Sequence, residues 1–334
     1  MQFTPLLLCM ILSGLFVSTA VADDPVPDAI RNAVTKSLTL LEAGAKGSRE
    51  ERPNCYTCHN AGVPVIALTA ARSRGFAIDR KELDAQLQFT ADFLKKNEKN
   101  YLAGKGQGGV DTAGSALWAL DRGGWTPDAT TAAVAEFLLV NQKNVDYWKS
   151  NSKRPPTQQS IFTTTFAALR GLKAFGTTEQ KERIEKRTEQ VRTWLAKAKP
   201  DDTEDRVSRL RLLHEVGAKK DTISEATQEL LKSQRGDGGW SQKADMSSDA
   251  YATGTALVAL IEAGGVTTDD AAYRKGLRYL LAIQKDDGSW HVTTRSKPIQ
   301  SYYESGYPHE KDQFISITAA GWATTALVLA LPTK

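Results

Sequence analysis

The chain has 334 residues, 41% hydrophobic and 25% charged, with a net charge of +4. That length and composition suit one large all-α domain or two ordinary ones. The charge is too small to argue for a nucleic-acid partner.

Residues 6–17 form an apolar run, followed by Ser18-Thr-Ala20-Val-Ala22 and then Asp23-Asp24-Pro25. This is the pattern of an export signal with an Ala-x-Ala site, cleaved after Ala22, although the segment before the apolar run lacks Lys and Arg. The run is short for a membrane span, so an uncleaved anchor is the weaker alternative. The expectation is an exported, periplasmic or secreted protein whose mature part is a single domain from residue 23 to 334. No later stretch is apolar enough to span a membrane.

Helical periodicity and Gly/Pro punctuation then divide the chain into six helical hairpins. The paired segments are 27–42 with 63–73, 80–96 with 111–120, and 129–141 with 161–175. They continue as 179–199 with 205–216, 222–233 with 249–263, and 269–283 with 315–331. First members carry more charge, with signs mixed as on solvated faces. Second members are richer in small apolar residues, as in Thr253-Gly-Thr-Ala-Leu-Val-Ala-Leu260. That difference fits an outer ring exposed to water and an inner ring packed on both sides. Every outer-to-inner loop then falls on one face.

The fifth and sixth hairpins share a turn. Gln234-Arg-Gly-Asp-Gly238-Gly-Trp240 and Gln284-Lys-Asp-Asp-Gly288-Ser-Trp290 lie 50 residues apart, each after an amphipathic helix. Glutamine has donors and acceptors for orphan groups at a helix end, glycine permits φ > 0, and the indole covers apolar surface. A third pair, Gln142 and Trp148, keeps the spacing but has Asp146 where the glycine should be. These turns resemble the QW repeat of squalene–hopene cyclases and related terpenoid cyclases. With the protein prenyltransferases, that family builds an α/α toroid of six helical hairpins, so the resemblance implies an all-α toroid. It also implies a small apolar or isoprenoid ligand, but the fold alone carries no chemistry.

The departures from the family matter. Gly106-Gln-Gly-Gly-Val-Asp111-Thr-Ala113 stands where the cyclases carry an Asp-x-Asp-Asp-Thr-Ala acid motif, and here a single carboxylate precedes Thr-Ala. Asp111 is thus a weak candidate acid and reads better as an N-cap. Asp249 reads as another cap and Asp269-Asp270 as first-turn acids. Prenyltransferases need a zinc site of Asp, Cys and His, and no cysteine follows Cys58. Protonation-type cyclisation and prenyl transfer are both unexpected. His214, in an inner helix, reads as a core histidine.

Two loops concentrate reactive side chains. Cys55-Tyr-Thr-Cys58-His59 has the Cys-x-x-Cys-His spacing of covalent haem c attachment, with His59 as iron ligand. The alternatives are a Cys55–Cys58 disulfide, favoured in an oxidising compartment, or a reduced pair lining a turn. More loosely, the chain resembles exported bacterial proteins that combine such a toroid with this motif. The loop from about 286 to 314 is unusually long and holds His291, Arg295, Tyr303, Tyr307, His309, Asp312 and Gln313. In a closed ring it lies beside Cys55–His59, so His309 or His291 is a candidate distal ligand. Arg295, Tyr303, Tyr307, Asp312 and Gln313 then form a loop-face pocket, or else satisfy one another as an ordered lid. The functional expectation is a binding or redox module. The alternatives are an enzyme acting on an apolar substrate in the toroid, or an interaction scaffold.

Overall fold

The computed structural model describes residues 27–298 and 301–333; the export signal read at 1–22 lies outside them. Among these residues there are thirteen α-helices and no strand, only an isolated bridge between Ser241 and Ser248. Six helices form an outer ring: α1 (Pro27–Glu51), α3 (Arg80–Lys96), α6 (Ala129–Val140), α8 (Lys181–Leu195), α10 (Lys220–Lys232) and α12 (Ala271–Ile283). Six form an inner ring: α2 (Val63–Ser73), α5 (Gly109–Gly123), α7 (Ile161–Phe175), α9 (Thr203–Glu215), α11 (Ala250–Glu262) and α13 (Gln313–Leu329). A short helix, α4 (Glu98–Leu102), interrupts the second hairpin. Inner-ring contacts run α2–α5–α7–α9–α11–α13 and return to α2, so the toroid closes.

Burial follows the two expected patterns. In outer α12, Tyr273, Gly276, Leu277 and Leu280 make one buried stripe at helical spacing. In inner α11 every residue from Ala250 to Leu260 is buried. Its Ala, Gly and Thr residues let neighbouring backbones approach on both sides.

Asp249 caps α11, accepting from Ala252 N at 2.9 Å. Asp270 is the N-cap of α12, accepting from the N–H groups of Ala272 and Tyr273, and not a first-turn acid. Helix α1 continues to Glu51, well past the expected end at 42. Gly44 and Gly47 do not stop it, because Tyr307 and Ser305 pack directly on them. His214 is exposed at the end of α9, not buried in the core as expected.

The Gln-to-Trp turns join the hairpins together. Trp148, Trp240 and Trp290 are fully buried, and each indole N–H donates to a carbonyl near the end of the preceding outer helix: Leu138, Leu230 and Leu280, at 3.0, 2.9 and 2.8 Å. Gly238 and Gly288 take φ of 88° and 90° and press against the next outer helix, at Lys275 and Lys36, where a Cβ would collide. The glutamine amide donates both within its own turn and to that next helix. Gln234 reaches Ala272 O at 2.7 Å, and Gln284 reaches Ala33 O at 2.9 Å.

Gln284 therefore fastens the last hairpin to the first. Gln284→Ala is expected to lower stability by about 1–3 kcal/mol, because it leaves two carbonyls without this donor. Thermal denaturation reads this directly, and an unchanged midpoint would show that the bond contributes nothing to closure. In the third copy Asp146 replaces the glycine, and Arg187 from α8 makes the link instead. Its guanidinium lies 3.8 Å over Trp148 and donates to Val145 O at 2.7 Å.

Candidate functional site

The ring encloses a cavity of about 520 Å³ that opens on the outer-to-inner loop face. The space lies within the usual range of roughly 300–1,000 Å³ for small-molecule sites.

Its rim comes from three loops: Cys58 and His59 before α2, Arg154 to Gln158 before α7, and Lys297, Tyr302 and Lys311 before α13. Just inside stand two carboxyl groups near the inner-helix N-termini. Asp111 accepts from Thr164 Oγ1 at 2.9 Å and from Ser150 Oγ. Glu204 is buried and accepts from Thr163 Oγ1 at 2.6 Å and Tyr251 Oη at 2.8 Å. Burial raises the pKa of both groups, and these hydrogen bonds oppose the rise.

Two helical turns deeper is an aromatic floor. Trp118 of α5 and Trp322 of α13 meet at 5.6 Å between ring centroids, and Phe166 of α7 packs edge-on against Trp118 at 5.1 Å. Arg211 of α9 lies over this surface, with its guanidinium carbon 4.7 Å from the Trp322 ring and 5.7 Å from Trp118. Arg211 is only 6% exposed, and burial pulls its pKa down, although guanidinium remains a cation. Below it, ion pairs between the helix C-terminal ends seal the far face: Arg122–Glu262 at 2.8 Å, Arg170–Asp121 at 2.6 Å and Lys173–Glu215 at 3.3 Å.

Of the residues singled out from the sequence, Cys58, His59 and Asp111 border this cavity. Asp111 is not an N-cap: α5 begins at Gly109 with Gly108 as cap, and the Asp111 side chain reaches across to Ser150 and Thr164. The long loop does lie beside the Cys-x-x-Cys-His turn, but through Tyr303 rather than a histidine. Tyr303 Oη is 3.0 Å from Ser48 Oγ, and its ring packs on Phe314, which packs in turn on His59 at 5.0 Å.

The other expected pocket residues stand behind the cavity wall, several of them held by hydrogen bonds within the loop. Asp312 accepts from Thr294 N at 2.9 Å and pairs with His291 Nε2 at 2.8 Å. His309 stacks on His291 at 4.7 Å and bonds Ser289 Oγ through Nε2. Gln313 holds Ser305 and Tyr303, Arg295 donates to Gln242 Oε1 at 2.8 Å, and Tyr307 is buried against α1.

Cys55 and Cys58 are separate thiols, not a disulfide. Part of a haem-attachment set is present. His59 Nε2 is buried with no partner among the described residues, and burial together with Arg154 lowers the ring's pKa to about 3, leaving the neutral form that binds metals. The rest does not fit. Cys55 does not border the cavity and its thiol points to Tyr56 O, while both candidate distal histidines are held by Asp312 and Ser289.

Phe166 and Trp322 stand out in the sequence as inner-helix aromatics, but Trp118, Arg211 and the inner acid Glu204 do not, although α9 carries a signal. Glu204, Ser208 and Arg211 recur at i, i+4 and i+7, which places a polar stripe on one face of an inner-ring helix. A stripe of that kind on a helix packed from both sides has to face a cavity or a polar partner.

Known proteins share this architecture. Residues 203–311, about a third of the chain, match the family model of the squalene-hopene cyclase C-terminal domain. The type II terpene cyclase MstE from Scytonema superposes with a TM-score of 0.58 over 93% of this chain and 100% of its own, at 15% identity. A variant of MstE in complex with its substrate, geranylgeranyl dihydroxybenzoate, gives 0.58 and 15% over 92% and 99%. The ent-copalyl diphosphate synthase from Streptomyces platensis gives 0.51 and 18%, covering 79% of this chain and 49% of that one. The fold is thus the α/α toroid of the terpene cyclases.

Proposed function

We propose that this protein binds an extended apolar molecule of isoprenoid type in its central cavity, and that it does not carry out protonation-initiated cyclisation. The arrangement of Arg211 on the aromatic floor carries this reading. Ring faces in a closed, apolar space stabilise cations. Here Trp118 and Trp322 already face a fixed guanidinium. A carbocation formed beside them would meet a like charge in a medium of low dielectric, where repulsion is strong.

The acids point the same way. Both oxygens of Asp111 and both oxygens of Glu204 accept hydrogen bonds from hydroxyl groups, so neither group is arranged to present a proton to an alkene. The fold makes an isoprenoid the natural class of ligand, since MstE binds a geranylgeranyl substrate in the same architecture. With the leader sequence, the reading is of an exported isoprenoid-binding protein.

Incubation with squalene and with geranylgeraniol, followed by gas chromatography and mass spectrometry, is expected to return both compounds unchanged. Calorimetric titration is expected to show saturable binding of at least one of them. A cyclised product that disappears in Asp111→Asn or Glu204→Gln would instead make the protein a cyclase and identify its acid.

A further inference from the structure

The cavity floor contains a polar group that the proposed apolar ligand does not explain. Arg211 is more than nine-tenths buried and borders the cavity. Among the described residues its Nε has no hydrogen-bond partner, and its Nη2 reaches only the Thr255 carbonyl, at 3.4 Å. The carboxylates whose charge it feels are Glu262 and Glu204. Glu262 is held by Arg122 at 2.8 Å, and Glu204 lies seven residues earlier on α9, roughly 10 Å of helical rise nearer the mouth. A buried cation with a free N–H and no anion beside it is costly unless something completes it.

We infer that Arg211 is the anchor for a carboxylate, and that the ligand is an isoprenoid or similar apolar carboxylic acid that enters head first. The inference rests on the proposed binding function and specifies the ligand of that same cavity. A planar guanidinium pairs with a carboxylate through parallel N–H···O bonds, and the aromatic faces beneath it keep it flat and oriented. Ile66, Val63, Ile315 and the two indoles border the same space and offer apolar surface for the chain behind the head group.

The rim also has cations. Lys297 and Lys311 are exposed and hydrated, so they draw anions toward the mouth without fixing a head group. Arg154 is a half-buried guanidinium at the mouth and is the rival anchor that the test must separate. Depth separates the two sites, and a mutation at each tells them apart.

The test compares farnesoic acid with farnesol by isothermal titration calorimetry on the wild-type protein. The acid is expected to bind about tenfold tighter or more, the size of one charge-assisted hydrogen bond. In Arg211→Met the preference is expected to vanish while farnesol still binds. In the rim variant Arg154→Ala, Lys297→Ala, Lys311→Ala it is expected to remain, with only its salt dependence reduced.

Equal binding of acid and alcohol by the wild type overturns the carboxylate anchor and leaves the apolar-cavity reading intact. A preference that survives Arg211→Met but fails in the rim variant also overturns it, because the head group then sits at the mouth. If neither compound binds, the proposed function fails and the anchor with it. Arg211→Lys keeps the charge but not the fork. It serves if the methionine variant does not fold, and is expected to lose most of the preference.

Discussion

Trp240→Ala is expected to lower the unfolding free energy by about 3–5 kcal/mol, the range for truncating a large buried aromatic side chain. The residue is fully buried, and its position explains why the cost falls at the upper end. The indole N–H donates to Leu230 O at 2.9 Å, satisfying a carbonyl in the last turn of α10. The backbone N–H donates to Thr253 Oγ1 at 2.9 Å, and the carbonyl accepts from Asp249 N at 3.0 Å. One residue thus ties the end of an outer helix to the capped start of the following inner helix. Truncation opens a void, removes the indole N–H bond to the Leu230 carbonyl and loosens the turn that holds Asp249 in place. Urea denaturation of the two proteins measures the difference. Trp240→Phe retains most of the apolar area but loses the N–H, and is expected to cost about 1–2 kcal/mol. A loss below about 1 kcal/mol for the alanine variant would mean that these turns decorate the toroid rather than hold it.

That result also tests why the fold was readable from sequence. The six hairpins follow from periodic apolar stripes, from caps such as Asp249, and from a turn whose glutamine, glycine and tryptophan each have a local job. These signals are short-range, and the structure uses them as written. The errors are long-range. Asp111 resembles a cap because it precedes Thr-Ala, but its partners, Ser150 and Thr164, come from the next hairpin. Helix α1 runs through Gly44 and Gly47 because a loop more than 250 residues later packs on them. The histidines of that loop likewise have no local partner; Ser289 and Asp312, which hold them, sit about twenty residues away in sequence.

The site was the least legible part. The Cys-x-x-Cys-His motif drew attention to the rim, where Cys58 and His59 do border the cavity. The floor is assembled from four inner helices, one side chain from each: Trp118, Phe166, Arg211 and Trp322. No window of sequence contains more than one of them. Only the polar stripe on α9 hinted that an inner helix was turned toward something other than an apolar core.

Arg211→Met is expected to stabilise the protein by about 1–4 kcal/mol in the absence of ligand, the range seen when buried ionic groups are replaced by apolar residues of similar volume. The native side chain keeps a cation away from water with an Nε unpartnered among the described residues and a single long hydrogen bond. Its stacking on Trp322 returns about 2 kcal/mol, less than the several kcal/mol that dehydrating a charge costs. Methionine fills a similar volume, keeps contact with the indoles through its polarisable sulfur, and leaves no orphan donor. The rise should appear as a higher midpoint in thermal or urea denaturation of the free protein. Adding farnesoic acid should then narrow the gap, because a ligand that binds only the folded wild type stabilises it in proportion to its affinity. A fall in stability for the methionine variant would mean that Arg211 is a structural member of the floor, already satisfied by its rings and by Thr255. A rise, closed by an apolar acid and not by the corresponding alcohol, would mark Arg211 as a group whose partner is a ligand rather than the fold.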